Sequence, residues 1–475
     1  MPSPSRAHPP TVQQSPDDTG SPAVPSWRPA LSGALQERAI ACARAVGLRL
    51  ADQERVHAAA AEATRRSHRF EFAGPSLACG FPSIAMVLLH LTRALPGEGW
   101  EQRLHTALGL SARSTAQSPL HGPGLYGGTS GLALVLAGAA ETEPRYAPSA
   151  GKVHAALLGQ VTAGPWALKD AEPRGTYTKD HLYDVVTGAS GVLGALLATG
   201  AEDAASQEAT ELLIRYLTGV ADAGGNGTGR LLSPADAVDP ALLEECPQGY
   251  FDLGTAHGAA GPLAALALAC RAGYRVPGQL QAVRALTDWL VDHRVQDPWG
   301  VNWPNHMGLH DPPGRGAAID RPPSRAGWCY GAPGIAMALW HAGHALDAPE
   351  PRRLAVEAVQ SVLRRPAAER HIPSPSLCHG VAGLLTVCLR LAQEEPGSPG
   401  PDAPNSLIQE HIPVLTEQIL GLFDPEAPLC FRDEEQPGVF VDDPGFLTGA
   451  AGVALALLAA ATPVAPSWDR ALLMS

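Results

Sequence analysis

Two cysteines and one histidine stand at matching places in front of short glycine motifs. Cys329 lies two residues before Gly331, and the pair Cys378–His379 directly precedes Gly380. Two thiolates and one imidazole, with a fourth position left open, form a known ligand set of catalytic zinc sites, and soft thiolates favour zinc among the abundant divalent ions. An isolated cysteine is usually a small buried hydrophobe. Position alone therefore leaves metal binding and a core role as equal alternatives for these residues.

Three further polar side chains also lie close to glycine motifs. His257 directly precedes its glycine, Asp184 lies four residues before its own, and Arg325 lies four residues before Cys329. An imidazole transfers protons near neutral pH, and a guanidinium stabilises negative charge that develops during a reaction. A lone histidine is more often structural than catalytic, but the recurrence of such residues at equivalent places favours one shared site.

The glycine motif itself recurs along the whole chain. Each copy consists of a glycine, two residues, a second glycine and an apolar run, and in the first copy Ser83 replaces the second glycine. The first glycines of the seven copies are Gly80, Gly128, Gly188, Gly258, Gly331, Gly380 and Gly449. Internal repeats of this kind indicate a fold built from similar units, and their irregular spacing suits helical hairpins with insertions of different length.

Two kinds of helix alternate along these repeats. The runs after the glycines are apolar on almost every side, which is typical of buried helices, whereas segments such as 35–50, 208–220 and 354–365 show the three-and-four spacing of half-exposed helices. Alternation of the two kinds implies two concentric layers. The sequence therefore predicts an all-α fold, an α/α toroid of seven helical hairpins, with the glycine-rich loops gathered at the active-site end.

The remaining segments set the expected domain boundaries. Residues 1–30 are rich in proline and serine, lack the apolar core of a secretory signal, and are predicted to be a disordered tail. Residues 31–475 are predicted to form one toroid domain, with an irregular insertion at about 295–326 in which some β-structure is possible and a solvent loop at 394–405. The uncharged stretch 444–468 is long enough to cross a bilayer, but it belongs to the repeat and is interpreted as a buried helix.

Composition limits the classes of function. The net charge is −13, the pI is about 5.7, and no long basic cluster occurs, so nucleic acid is not an expected partner. Eight cysteines in 475 residues are too few for a disulfide scaffold and fit a reducing cytosol. Six of them are interpreted as buried hydrophobes: Cys42, Cys79, Cys246, Cys270, Cys388 and Cys430.

Several motifs together resemble those of the lanthionine synthetase C-like proteins. The segments are YDVVTGASG, GTAHGAAG, SRAGWCYG and LCHGVAG, and the seven glycine copies between about residues 75 and 460 are similar to the α/α toroid of that family. The resemblance implies that Cys329, Cys378 and His379 bind zinc. It also implies that His257, Asp184, Arg325 and Tyr330 line an active site.

The implied reaction is addition of a peptide cysteine thiol to dehydroalanine or dehydrobutyrine, which forms a lanthionine or methyllanthionine ring. His257 is the candidate for supplying or removing a proton, Asp184 either orients an imidazole or pairs with Arg325, and Arg325 is a candidate for stabilising the enolate oxygen. Whether His257 acts as base or acid stays open. Two alternatives also stay open: intermolecular addition of a thiol such as glutathione, and a non-catalytic peptide-binding scaffold with structural zinc.

The resemblance also implies partners. Only about 75 residues precede the repeats, so a stand-alone cyclase is expected rather than a fused multidomain enzyme. Its expected substrate is a dehydrated precursor peptide that carries a leader, prepared by a separate dehydratase, with a transporter as a further candidate partner. The expected location is the cytoplasm, with the periphery of a membrane-associated biosynthetic complex as the alternative.

Overall fold

The structure is a computed structural model that describes residues 27–68, 70–167, 178–200, 203–222, 231–233, 242, 244, 246–308, 324–394 and 405–475. Three sequence predictions fall partly outside this set. They concern the tail, the insertion and the solvent loop, of which residues 1–26, 309–323 and 395–404 are not described.

Seven apolar helices follow the glycine motifs and form the inner layer. Their residues are buried for most of their length, because these sequences have no polar face to turn towards water. The inner helices are α3 (Phe81–Ala94), α5 (Thr129–Thr142), α8 (Ala189–Thr199), α10 (Ala260–Arg271), α12 (Ala332–Ala345), α14 (Val381–Glu394) and α16 (Ala450–Ala461).

Seven amphipathic helices form the outer layer, each with one face on an inner helix and the other exposed. They are α1 (Gly33–Leu50), α4 (Trp100–Gln117), α6 (Ala147–Ala163), α9 (Ala204–Asp222), α11 (Gln279–Asp292), α13 (Pro349–Arg364) and α15 (Ser406–Gly421). The shorter elements are α2 (Gln53–Arg66), α7 (Asp180–Tyr183) and the 3₁₀ turns Pro144–Tyr146, Ala367–Arg370 and Ser467–Leu472.

The inner helices close into a ring. Each packs against the next in chain order, and α16 packs against α3. Six of them pair with the outer helix that follows in sequence, whereas α16 pairs with α1 at the other end of the chain. The prediction of an α/α toroid of seven hairpins is thus confirmed, and the seventh hairpin joins the two ends of the repeat region.

The glycine motif allows each loop to pass close to the start of its inner helix. A Cβ added at Gly131 would lie 2.3 Å from the carbonyl oxygen of Leu125, and one at Gly191 would lie 2.0 Å from that of Val185. No side chain fits at such distances. In the first copy the hydroxyl of Ser83 donates to the carbonyl of Gly80 at 2.6 Å.

Short strands interrupt the helices at three places. A three-stranded antiparallel sheet has the order β1 (Leu232–Ser233), β2 (Tyr250–Asp252), β5 (His306–Gly308). Two hairpins are formed by β3 (Val295–Asp297) with β4 (Gly300–Asn302), and by β6 (Asp433–Gln436) with β7 (Val439–Val441). The described start of the predicted insertion is therefore β-structure, as the sequence allowed.

Residues 27–30, the last four of the predicted tail, pack against the fold. Trp27 is buried, and its Nε1 donates to the carbonyl of Ala459 at 2.8 Å. The backbone N–H of Ala30 donates to the carbonyl of Ala460 at 2.9 Å. An apolar indole that gains both burial and a hydrogen bond is held against the fold, so residues 27–30 belong to the packed structure.

The last residues of the sequence fill the centre of the ring. Leu473 and Met474 are buried. The hydroxyl of Tyr126 donates to the carbonyl of Ala471 at 2.6 Å, and Nε1 of Trp328 donates to that of Leu472 at 2.9 Å. Residues 467–475 therefore form a central plug that contacts loops of the second and fifth copies.

The uncharged stretch 444–468 contains the buried inner helix α16, as interpreted from the sequence, and is followed by the turn that leads into the plug. Across the described ranges, no helix combines the length and apolar character that a bilayer crossing requires.

Candidate active site and metal centre

The loops that precede the seven inner helices meet at one end of the toroid, and we call them the mouth loops. In each case a backbone N–H of one loop donates to a backbone carbonyl of the next, including a bond from the seventh copy back to the first. The donor and acceptor pairs are Leu77–Tyr126, Leu125–Val186, Val185–Ala256, Thr255–Cys329, Trp328–Cys378, Cys378–Leu447 and Phe446–Ala78. This continuous ring fixes the order in which the side chains of the loops lie side by side.

Loop positions are counted back from the first glycine of each motif. Cys329 and Cys378 occupy position −2 in adjacent copies, and His257, Tyr330 and His379 occupy position −1 in three successive copies. Because Trp328 and Cys329 both donate backbone hydrogen bonds to the carbonyl of Cys378, at 3.0 and 3.1 Å, the two thiols are brought to the same place.

Cys329, Cys378 and His379 form one cluster. Their ligand atoms all lie within 4.8 Å of one another. Cys329 is buried, whereas Cys378 and His379 are half-buried, so the cluster lies at a surface that a further ligand can reach. Two sulfur atoms and one imidazole nitrogen match the donor set of a catalytic zinc site with an open fourth position. The cluster could hold a metal ion.

The pKa values of the three cluster residues also fit a metal-binding role. The Cys378 thiol and His379 together hold the pKa of Cys329 well below its usual range, and Cys329 raises that of Cys378. Burial alone would lower the pKa of His379, but Asp433 and Cys329 raise it to about 9. The protein thus stabilises a thiolate beside a cationic imidazole, and a divalent cation would replace the protons that the group still carries.

A buried carboxylate supports the histidine of the cluster. Asp433, on β6, lies 3.3 Å from Nε2 of His379 through Oδ2, and the hydroxyl of Ser374 donates to its other oxygen. The Asp433 side chain has no exposed surface. Metal-binding histidines usually donate their second nitrogen to such a partner, and this contact leaves Nδ1 as the nitrogen available to a metal.

A second pair of groups lies in the loops of the third and fourth copies. Nδ1 of His257 lies 2.8 Å from Oδ2 of Asp184. The Asp184 side chain is 2 % exposed, and Oδ1 accepts backbone N–H groups of Thr187 and Gly188 at 2.8 and 2.7 Å. The His257 side chain is 41 % exposed, so part of the imidazole is open to solvent. The hydrogen bond to Asp184 raises the pKa of His257.

Tyr330 and Arg325 lie beside the cluster but in different environments. The Tyr330 hydroxyl donates to Oδ2 of Asp252 at 2.7 Å, and burial together with Asp252 raises its pKa above the usual range. Arg325 is exposed, and its charge favours the thiolate forms of Cys329 and Cys378. The suggested pairing of Asp184 with Arg325 is not found in the described part of the chain. There Asp184 binds His257 instead.

Sequence reasoning missed three supporting residues. Asp252 and Ser374 both lie six positions before a motif glycine, where Arg325 lies in its own copy, so extending the same count would have revealed them. Asp433 lies in an insertion and carries no comparable signal. Cys79 also differs from its predicted core role: it is half-buried, and its thiol donates to the carbonyl of Glu71 at 2.8 Å.

Residues 71–473 match the family described as "Lanthionine synthetase C-like protein". The chain belongs to that family. A relative is the nisin biosynthesis protein NisC of Lactococcus lactis subsp. lactis, which is 23% identical over 331 residues, covering 69% of this chain and 76% of the relative. The solved structure of a nisin cyclase superposes with a TM-score of 0.71 at 22% identity, covering 89% of this chain and 97% of that chain.

Membership in the lanthionine synthetase C-like family confirms the resemblance drawn from YDVVTGASG, GTAHGAAG, SRAGWCYG and LCHGVAG. The structural likeness agrees with the toroid found here. The four loops that carry these segments are consecutive in the ring of mouth loops, so Asp184, His257, the cysteine cluster and Tyr330 lie along one arc.

Proposed function

We propose that this member of the lanthionine synthetase C-like family is a zinc-dependent lanthipeptide cyclase, which adds peptide cysteine thiols to dehydroalanine or dehydrobutyrine. The observation that carries the proposal is the arc of mouth loops, on which an open-sided Cys329–Cys378–His379 cluster and an Asp184–His257 pair lie in neighbouring copies. One group suits thiol activation and the other suits proton transfer.

Cys329, Cys378 and Nδ1 of His379 would hold the zinc ion. When bound, zinc lowers the pKa of a substrate thiol, which is about 8.5 in a free cysteine, and so supplies the thiolate at neutral pH. Asp433 and Ser374 hold the imidazole of His379 in place, and the charge of Arg325 offsets the negative charge of the sulfur ligands.

The protein's other residues serve the carbon chemistry. A sulfur–carbon bond forms at Cβ of the dehydroamino acid, the electron pair of the double bond moves towards the carbonyl oxygen, and Cα then takes up a proton. We assign that proton to Nε2 of His257, because Asp184 holds Nδ1 and favours the protonated imidazole. Arg325 lies on the same arc and is assigned to the enolate oxygen, whereas the Tyr330 hydroxyl donates to Asp252 and lines the site.

The proposal extends to the setting of the reaction. The substrate is a precursor peptide that carries a leader and has already been dehydrated by a separate enzyme, since the described sites offer thiol addition and proton transfer. The reaction takes place in the cytoplasm, where the thiols of substrate and enzyme stay reduced. Delivery of the product to a transporter belongs to the same proposal.

The test uses the purified chain, zinc and a dehydrated precursor peptide. Cyclisation leaves the mass unchanged, so the assay counts cysteines that can still be alkylated. We expect those thiols to disappear and no glutathione adduct to form, because a tethered thiol has a far higher effective concentration than a free one. A glutathione adduct would favour intermolecular addition, and persistence of the thiols with every dehydrated peptide would favour a binding scaffold.

A further inference from the structure

A groove of about 780 Å³ opens at the mouth over the first three copies. Its lining includes Gly74 and Ser76 of the first mouth loop, Gly124 and Gly127 of the second, and Thr187 of the third. The volume falls within the range of ligand pockets, about 300–1,000 Å³. The groove therefore lies on the same end of the toroid as the metal cluster, beside the arc that carries it.

The second mouth loop lines the groove largely with glycines, which are Gly122, Gly124, Gly127 and Gly128. A Cβ added at Gly127 would meet no atom within 4 Å, so the space above it is open. The residues at position −1, from the first copy to the seventh, are Cys79, Gly127, Thr187, His257, Tyr330, His379 and Thr448. Two of these residues line the groove, Gly127 and Thr187, and a side chain at position 127 would project into its open space.

One wall of the groove is shared with the candidate proton-transfer pair. Thr187 lines the groove, and both its backbone N–H and its hydroxyl donate to Oδ1 of Asp184, at 2.8 and 3.2 Å. The other oxygen of Asp184 binds His257. A chain lying in the groove would therefore end beside the residue that we assign to proton delivery.

The lining is nearly free of charge. Glu71 is its one carboxylate, His121 and His181 supply two imidazoles, and the described residues around the groove include no aspartate, lysine or arginine. Apolar groups come from Phe72, Leu120 and Leu182. Such a surface fits uncharged residues, and dehydroalanine and dehydrobutyrine are serine and threonine residues that have lost a molecule of water. It offers little to a charged segment.

We propose that this groove binds an extended, uncharged stretch of the dehydrated peptide while the thiol and the alkene react at the His257 end. This inference rests on the proposed function and adds the location and chemistry of peptide binding. Gly127 is the position that keeps the groove open.

The test fills the groove from Gly127. The probe is a short fluorescein-labelled peptide of uncharged residues with one dehydroalanine and one S-methylated cysteine, which binds but does not react. Gly127→Trp is expected to raise the Kd of this probe at least about tenfold, a loss of about 1.4 kcal/mol. The control is Gly159→Trp on the outer helix α6, where an added Cβ also meets no atom within 4 Å and the Kd should not change.

Zinc content and circular dichroism of both variants should match those of the unmodified chain. An unchanged Kd in Gly127→Trp, or no binding of the probe by the unmodified chain, overturns the groove. If the probe binds and Gly127→Trp weakens it while no thioether ring forms in an unmethylated peptide, the groove stands and the proposed reaction fails. If rings form and the KM of Gly127→Trp equals that of the unmodified chain, the proposed reaction stands and the groove is overturned.

Discussion

The cysteine cluster distributes its protons in a way that favours a cation. Cys329 is stabilised as a thiolate beside the protonated His379, and both charges are largely removed from water. Separate buried charges are costly unless they are paired. A divalent ion bound by both sulfurs and the imidazole would satisfy all three groups at once, and this makes metal content the first property to measure at the residue scale.

We expect the purified chain to hold about one equivalent of zinc, and Cys378→Ala to lose it because the remaining two ligands cannot retain the ion. The matched control is Cys388→Ala, since Cys388 is a buried free thiol on the inner helix α14 that touches no part of the cluster. Elemental analysis after dialysis measures both. Full zinc retention in Cys378→Ala would contradict the site.

Asp433→Asn should weaken zinc binding about 10- to 100-fold, because the carboxylate that orients His379 is lost. Titration against a chromophoric chelator gives the affinity. Asp442→Asn serves as the control, since Asp442 anchors the same β6–β7 hairpin through Leu429 and Arg432 without contacting His379. Equal losses of zinc affinity in the two variants would show that the β6–β7 hairpin only supports the site and that the Asp433 contact with His379 adds nothing further.

His257→Ala should retain zinc and fold but lose about 10²- to 10⁴-fold in turnover, the usual contribution of a positioned acid or base.

Asp184→Asn tests the direction of proton transfer. Asp184 raises the pKa of His257, so removing its charge should lower that pKa. If His257 is the acid, activity is lost as pH rises through its pKa, and the alkaline limb moves to lower pH in the variant. Movement of the acidic limb instead would make His257 the base.

The same pair makes a small contribution to stability. Because the folded-state pKa of His257 is raised, the contribution is complete below the pKa of the unfolded chain, about 6.5, and disappears as pH rises through the folded value. His257 is partly exposed, so solvent weakens the effect. The pair is therefore better explained by proton transfer than by holding the fold together.

At the scale of elements, the glycine motif sets how closely each mouth loop approaches its inner helix. The loop carbonyl three residues before the first glycine lies against the second glycine, as Leu125 lies against Gly131. This contact places position −1 directly at the helix start. The motif therefore determines where a reactive side chain can stand, even though no glycine takes part in the chemistry.

Gly131→Ala should lower the free energy of unfolding by about 1–3 kcal/mol, since its Cβ would overlap the Leu125 carbonyl and the Leu77 side chain. Gly159→Ala should raise it by about 0.5–1 kcal/mol, because an exposed helical glycine with open space around it gains from alanine. Urea denaturation measures both. An unchanged free energy of unfolding in Gly131→Ala would mean that the loop can shift to accommodate the added methyl group.

The repeats could be predicted because their signals are local. A glycine motif followed by an apolar run marks an inner helix, and the count back from the glycine aligns Cys329 with Cys378 without any structure. Asp433 was not predictable, because it reaches His379 from an insertion 54 residues further on. The pairing of α1 with α16 could not be predicted either, since the sequence of neither helix indicates which helix it packs against.

At the scale of the whole molecule, the contact between Trp27 and the inner helix α16, which joins the two ends of the repeat region, should matter for stability. Trp27→Ala removes an indole that is buried and hydrogen-bonded to Ala459, and we expect it to lower the free energy of unfolding by about 3 kcal/mol. Trp299→Ala is the control, since Trp299 lies half-buried on the β3–β4 hairpin. Thermal unfolding followed by circular dichroism compares them. Similar losses of thermal stability in both variants would mean that the Trp27 contact contributes no more than a half-buried tryptophan elsewhere.

Closure through α1 and α16 also has a consequence for synthesis. Trp27 and Ala459 are 432 residues apart, and a ribosome that adds about 5–20 residues per second takes roughly 20 to 90 seconds to make the intervening chain. During that time α1 lacks α16, the helix against which it packs most extensively. The nascent protein must therefore be kept from aggregating until α16 has been made, and slower growth at low temperature or extra chaperone should increase its soluble yield.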